Sequence, residues 1–294
     1  MNIVLGFNEF QQQSKILAAH LKLPYEEVKI HHFPDGESKI TLPQNLPEHI
    51  IICRSLNHPN DKLVELLIAA DAARVAGVKH ITLVAPYLCY MRQDIAFHPG
   101  EAVSQKIIGK ILAQHFDALF TIDPHLHRIK TLPEAVPLKE AIALTATHPM
   151  SDFLQTHFNN PVIVGPDGES VQWVAEICEQ NHWQYQVATK QRLGDSDVKV
   201  TLPKFSYENR DVVIVDDIAS TGKTIEAAAK IIQQSRPTSL SVLVTHAFFV
   251  DNAIADIQAL GVKNIWSSDA IAHVTNAFSV MPHIADSIKA HHLL

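Results

Sequence analysis

Residues 211–225 read Asp211-Val-Val-Ile-Val-Asp216-Asp217-Ile-Ala-Ser220-Thr221-Gly222-Lys223-Thr224-Ile225. An apolar run ends in two carboxylates, a short hydroxyl-rich stretch follows, and a helical pattern then begins. The chemistry this order suits is anion capture. Backbone N–H groups at a helix N-terminus, helped by Ser and Thr hydroxyls, can wrap a phosphate. Two acids at the carboxyl end of a strand can take sugar hydroxyls, in the crevice where open α/β sheets bind ligands. Gly222-Lys223-Thr224 imitates the close of a nucleotide P-loop. That motif needs a glycine five positions before its second one, and position 217 is aspartate. Helix capping by Asp216 and Asp217 is the plainer alternative. The coincidence of strand, acid pair and hydroxyl loop favours the anion site.

Further groups able to do chemistry also follow apolar runs. Arg92 stands with Gln93 and Asp94 after one of them. Its planar, always-charged fork suits a phosphate, and an ion pair with Asp94 is the alternative. Asp123-Pro124-His125 closes a second run and Gly165-Pro-Asp167-Gly168-Glu169 a third. Lys190 and Arg192 are separated by one residue, so on an extended segment both can reach one anion. A charged, solvated strand edge is the competing reading for that pair.

The elements that must position these groups alternate along the chain. Candidate strands are 2–6, 38–42, 49–54, 80–86, 118–123, 162–166, 212–216, 240–245 and 264–266. Helical stretches include 61–76, 101–115, 170–180 and 224–234. Strand, helix, strand at this spacing predicts βαβ crossovers and largely parallel sheets. The strands at 80–86 and 212–216 are almost wholly apolar, as strands buried on both faces must be. Residues 71–86 and 230–246 repeat one helix–turn–strand pattern, which fits two similar domains meeting near residue 145.

Composition narrows the classes. The chain has 294 residues, with 24 basic and 31 acidic side chains, a net charge of −7. That balance argues against wholesale nucleic-acid binding but not against small anionic substrates, since local groups and metal ions can reverse the field in a cleft. No uninterrupted apolar run approaches the 18 or more residues of a membrane span, and the N-terminal residues read as a strand rather than a signal peptide. Cys53, Cys89 and Cys178 form no CxxC pair, which suits a reducing, cytoplasmic setting.

The strand–Asp–Asp–hydroxyl-loop segment resembles the phosphoribosyl diphosphate (PRPP) motif of phosphoribosyltransferases and PRPP synthetases. The first half of the chain separates the two. Phe33-Pro-Asp35-Gly-Glu37 is similar to the adenine-binding hairpin of ribose-phosphate pyrophosphokinases. Residues 60–67 (Asn-Asp-Lys-Leu-Val-Glu-Leu-Leu) and 86–94 (Pro-Tyr-Leu-Cys-Tyr-Met-Arg-Gln-Asp) resemble two further blocks of that family. Phe120-Thr-Ile-Asp123-Pro-His125 is similar to its magnesium loop. The five blocks run in family order over nearly the whole chain.

The resemblance implies an α/β fold of two similar phosphoribosyltransferase-type domains, each a mainly parallel sheet flanked by helices. Residues 1–145 would form the ATP side and 146–280 the ribose-5-phosphate side. Residues 281–294 would be a C-terminal helix packing back on the first domain. It implies a Mg²⁺-dependent diphosphokinase acting on ATP and ribose 5-phosphate. Phe33, Asp35, Glu37, Arg92, Gln93, Asp94 and His125 would bind ATP, with His125 and Asp167 at metal. Asp216, Asp217, Ser220, Thr221, Gly222, Lys223 and Thr224 would bind ribose 5-phosphate. Lys190 and Arg192 would be catalytic, on a lid to which Gly194 lends freedom. It also implies a homo-oligomer, dimer or larger, with composite active sites. A phosphoribosyltransferase consuming PRPP and a non-catalytic regulatory relative are the alternatives. Ser220-Thr-Gly resembles the archaeal-type branch, and Phe97-His-Pro-Gly-Glu101 replaces an arginine-rich stretch. Neither feature carries an expectation of the phosphate and ADP regulation of the better-studied class. Glu169, where family members commonly have glycine, reads as a helix start.

Overall fold

The computed structural model describes residues 2–192 and 198–293, with the backbone alone along 190–192 and 198–200. The chain forms two compact units, Met1–Thr145 with Val280–Leu294, and Ala146–Ser279.

Unit 1 runs β1 (Ile3–Phe7), α1 (Gln11–Leu21), β2 (Tyr25–His32), β3 (Ser38–Thr41), β4 (His49–Cys53), α2 (Pro59–Val75), β5 (His80–Val84), α3 (Ser104–His115), β6 (Ala118–Ile122) and β7 (Glu140–Leu144). Its seven strands lie in the order β3-β2-β1-β4-β5-β6-β7. All pair in parallel except the β2–β3 hairpin. Runs such as Ile50-Ile51-Ile52 are buried completely or nearly so, because helices cover both faces of a parallel sheet and leave no side for polar residues.

Unit 2 runs α4 (Thr147–Gln155), β8 (Val162–Gly165), α5 (Val171–Asn181), β9 (Gln184–Val187), β10 (Thr189–Arg192), β11 (Val198–Thr201), β12 (Asp211–Ala219), α6 (Lys223–Gln233), β13 (Ser239–Ala247), α7 (Ala253–Ala259), β14 (Asn264–Ser268) and β15 (Asn276–Phe278). Six strands form a parallel sheet, β15-β14-β13-β12-β8-β9, and β10 pairs antiparallel with β11 apart from it. The last helix, α8 (Met281–Ala290), returns to unit 1 and packs on α1. It buries Met281, Ile284, Ala285 and Ile288, the one-sided stripe of a packed helix. The His291 ring beside it meets Phe120 edge-on at 5.8 Å.

Two differences from the sequence reading bear on function. The strand expected over 212–216 continues to Ala219, so the two acids lie inside β12 and not at its end. Its partner β13 pairs with it as far as Ala219↔Ala247, which is enough to carry charged residues in extended backbone. Strands β2 and β9, absent from the expected set, are half-exposed and polar. They lack the apolar signature of their buried neighbours.

Candidate active site

In unit 2 the strand order reverses at β8, which has β9 on one side and β12 on the other. Ligands of open α/β sheets bind outside the carboxyl ends of the strands at such a switch point. Strand β8 pairs with β12 only through Val212–Ile214. Beyond Ile214 the β8 side of β12 has no such pairing, and Asp216 and Asp217 follow there. Asp167 follows the end of β8.

The electrostatics of these acids are connected. Asp217 is buried and Asp216 half-buried. Withdrawal from water, together with the negative charges of Asp217 and Asp167, holds the Asp216 carboxyl well above its ordinary value. Two neighbouring carboxylates oppose one another's ionisation, and a cation between them would relieve that cost. Asp167 accepts the Glu169 N–H at 3.1 Å and so opens a short 3₁₀ turn, Gly168–Ser170, ahead of α5. Glu169 lies in that turn, in agreement with its reading as a helix start.

The hydroxyl loop is three residues, Ser220 to Gly222, between β12 and α6. Val250 N–H donates to the Ser220 carbonyl at 3.0 Å, which fixes the loop's first residue. Gly222 is the N-cap, in the left-handed region at φ +71°, and supplies no capping side chain. A Cβ there would lie 2.9 Å from Ile257 Cδ1, so both conformation and space select glycine. The first N–H groups of a helix have no acceptor within it. Thr221 is exposed beside them, while Ser220 and Thr224 are half-buried. Lys223 turns to the flank of its own helix, 2.7 Å from Glu226 and 3.6 Å from Asp256. Those contacts raise its pKa and engage the charge on protein carboxylates.

Lys190 and Arg192 lie on β10, where Lys190 pairs with Val200 and Arg192 with Val198. Gly194 lies outside the described residues.

In unit 1 the loop after β5 is fastened on either side of Arg92. Gln105 Nε2 donates to the Met91 carbonyl at 3.0 Å. Gln93 Oε1 accepts from the N–H and hydroxyl of Ser104, at 3.3 and 2.8 Å, and thereby caps α3. The buried Asp94 carboxylate accepts from Arg128 Nη1 at 2.6 Å. Arg92 itself is exposed. The alternative of an Arg92–Asp94 pair thus gives way to Arg128, and Gln93 and Asp94 are engaged in holding the loop. His125 stacks on His127 at 5.6 Å. Before it, Asp123 is buried at φ 38°, a conformation that costs on the order of 1–3 kcal/mol and recurs at ligand sites.

The Phe33–Glu37 hairpin joins β2 to β3. Phe33 N–H donates to the Glu37 carbonyl at 2.8 Å, and Gly36 N–H to the Phe33 carbonyl at 3.0 Å. Asp35 Oδ1 accepts the Glu37 N–H at 3.1 Å, and Gly36 sits at φ +92°. The Phe33 ring is 40% exposed, an apolar face held in solvent.

One polar cluster had no counterpart in the sequence reading. Unit 1 has its own switch point between β1 and β4. There Arg54 donates to Glu9 at 2.7 Å and to Glu65 of α2 at 2.6 Å, and lies 4.0 Å over the Phe7 ring. Its sequence signals were a cation ending the strand expected over 49–54 and the Glu65 of the 60–67 block, with nothing local to join them. The crevice that unit 2 keeps acidic is filled in unit 1 by an internal ion pair.

Among the described residues, no group of three or more His, Cys, Asp or Glu side chains is placed to hold a metal ion unaided. Magnesium is commonly held by one or two carboxylates, with waters and substrate phosphates completing its shell. The oxygen donors around Asp216 fit that demand.

Residues 138–258 match the family model of the phosphoribosyl transferase domain, which sets unit 2 in a class of α/β phosphoribosyl-handling proteins. Residues 2–115 match the N-terminal domain of ribose phosphate pyrophosphokinase. The ribose-phosphate pyrophosphokinase of Methanopyrus kandleri is 30% identical over 291 residues, 98% of this chain and 98% of that protein. The one of Saccharolobus solfataricus is 30% identical over 278 residues, 92% and 93% of the two chains. The chain belongs to the ribose-phosphate pyrophosphokinase family. A crystal structure of phosphoribosylpyrophosphate synthetase from Mycobacterium smegmatis has the same fold, with a TM-score of 0.81 over 99% of each chain at 18% identity.

Proposed function

We propose that the chain is a ribose-phosphate diphosphokinase. The anomeric oxygen of ribose 5-phosphate bonds to the β-phosphorus of ATP as the bond from that phosphorus to the AMP oxygen breaks. PRPP and AMP result. The carrying observation is that relatives of this one activity align with 98% of the chain, both units included. A phosphoribosyltransferase would leave the match over residues 2–115 without a purpose.

The protein's part is alignment and charge neutralisation. In this reading the loop Ser220 to Gly222 and the start of α6, with Thr224, cradle the 5-phosphate, while Asp216 and Asp217 take the ribose hydroxyls. Lys223, engaged with Glu226 and Asp256, supports the helix start. Arg92 reaches the triphosphate from a loop that Gln93 and Asp94 keep rigid, and the Phe33–Glu37 hairpin receives the adenine. Lys190 and Arg192 stabilise charge on the transferring group. Mg²⁺ at His125 in unit 1 and, separately, at Asp167 in unit 2 would neutralise phosphate charge when bound. No helix among the described residues is long and apolar enough to cross a membrane. All three cysteines are buried, and burial pushes Cys89 and Cys178 up to about 12, which suits the cytoplasm.

The test is AMP release from ATP and Mg²⁺ with and without ribose 5-phosphate. AMP formed only with the sugar phosphate supports the reading. No AMP under either condition refutes it, and PRPP consumption with a nucleobase would establish the transferase instead.

A further inference from the structure

At the mouth of the hairpin, His32 and Ser38 face one another across the last β2–β3 pair. The Ser38 hydroxyl donates to Glu65 Oε1 at 2.9 Å. Glu65 lies on α2, and its side chain is 3% exposed. Its other oxygen accepts from Arg54 Nη2 at 2.6 Å, and Arg54 also bonds Glu9 and the Lys62 carbonyl. His32 Nδ1 lies 3.1 Å from the Ser38 oxygen and 3.6 Å from Glu65 Oε1. Because the one hydroxyl proton of Ser38 goes to the carboxylate, the ring nitrogen must be the donor to the serine oxygen.

A hydrogen bond to a buried charge is stronger than one between neutral groups. This one links an edge hairpin to the centre of the sheet. Among the described residues strand β3 pairs with β2 alone, and it packs besides on α2, the helix that carries Glu65. We infer that Ser38 and Glu65 are positioning residues: through Arg54 they hold the Phe33–Glu37 turn in the pose that receives the nucleotide. The inference deepens the proposed function and rests on it for the nature of the ligand.

The experiment uses the full chain with Ser38→Ala and Ser38→Thr, the second retaining the hydroxyl. Two quantities are read: amide hydrogen exchange at Phe33 and Gly36 without substrate, and steady-state kinetics with ATP, Mg²⁺ and ribose 5-phosphate. In Ser38→Ala, exchange at both amides should quicken and KM for ATP should rise about tenfold, the scale of one charge-assisted hydrogen bond. Turnover and KM for ribose 5-phosphate should stay within about twofold, and Ser38→Thr should restore both readouts. Unchanged exchange overturns the inference, and so does an equal rise in KM for both substrates. A parent chain that makes no AMP while Ser38→Ala still quickens exchange refutes the diphosphokinase reading and leaves the anchor standing.

Discussion

Asp216 carries a carboxyl that its surroundings disfavour as an anion, and that has a sign in pH. With its folded pKa above the unfolded value, the folded state holds the proton longer, so stability falls as pH rises from about 4 through the folded value. In chelator, Asp216→Asn should therefore melt above the parent at pH 8, with the gap closing toward pH 4. Mg²⁺ should raise the parent's Tm more than the variant's. Equal melting across that range would contradict the account. Lys190→Ala should lose on the order of 10²–10³ in turnover with little change in Tm. Near-wild-type turnover would remove Lys190 from the mechanism. At this scale the sequence was most readable where chemistry is contiguous, as in the Asp216–Thr224 run. It was least readable where a partner comes from far along the chain. Arg128 reaches Asp94 across 34 residues and Arg54 meets Glu65 across 11, and neither pairing leaves a local pattern.

Helix α6 owes its approach to the proposed phosphate site to Gly222. Gly222→Ala would place a Cβ at φ +71° and 2.9 Å from Ile257 Cδ1. A left-handed L-residue costs about 1–2 kcal/mol before any clash. The variant should lose at least that much stability, and its KM for ribose 5-phosphate should rise more than its KM for ATP. Urea unfolding and the two KM values check this, and unchanged values would count against the cradle. Strands buried on both faces, such as β4 and β5, were legible because a parallel sheet demands unbroken apolar runs. Strand β2, Tyr-Glu-Glu-Val-Lys-Ile-His-His, was not, because only Val28 in it is buried. The end of β12 was misread for a related reason. Charge looks like a terminator in sequence, but pairing with β13 keeps the backbone extended.

For the whole molecule, we propose a homodimer or larger assembly in which a second subunit completes each active site. Light scattering at assay concentration should show more than one chain per particle. A fully active monomer would contradict this. The path of the chain has a further consequence. Unit 2 is inserted within unit 1, whose last helix, α8, is made after all of it. On the ribosome, residues 146–279 can therefore finish folding first, while α1 still lacks its cover. Domains normally fold as units, the N-terminal one first during synthesis. Here the first-made unit is the last to be closed, because α8, which packs on α1, follows unit 2 in the chain.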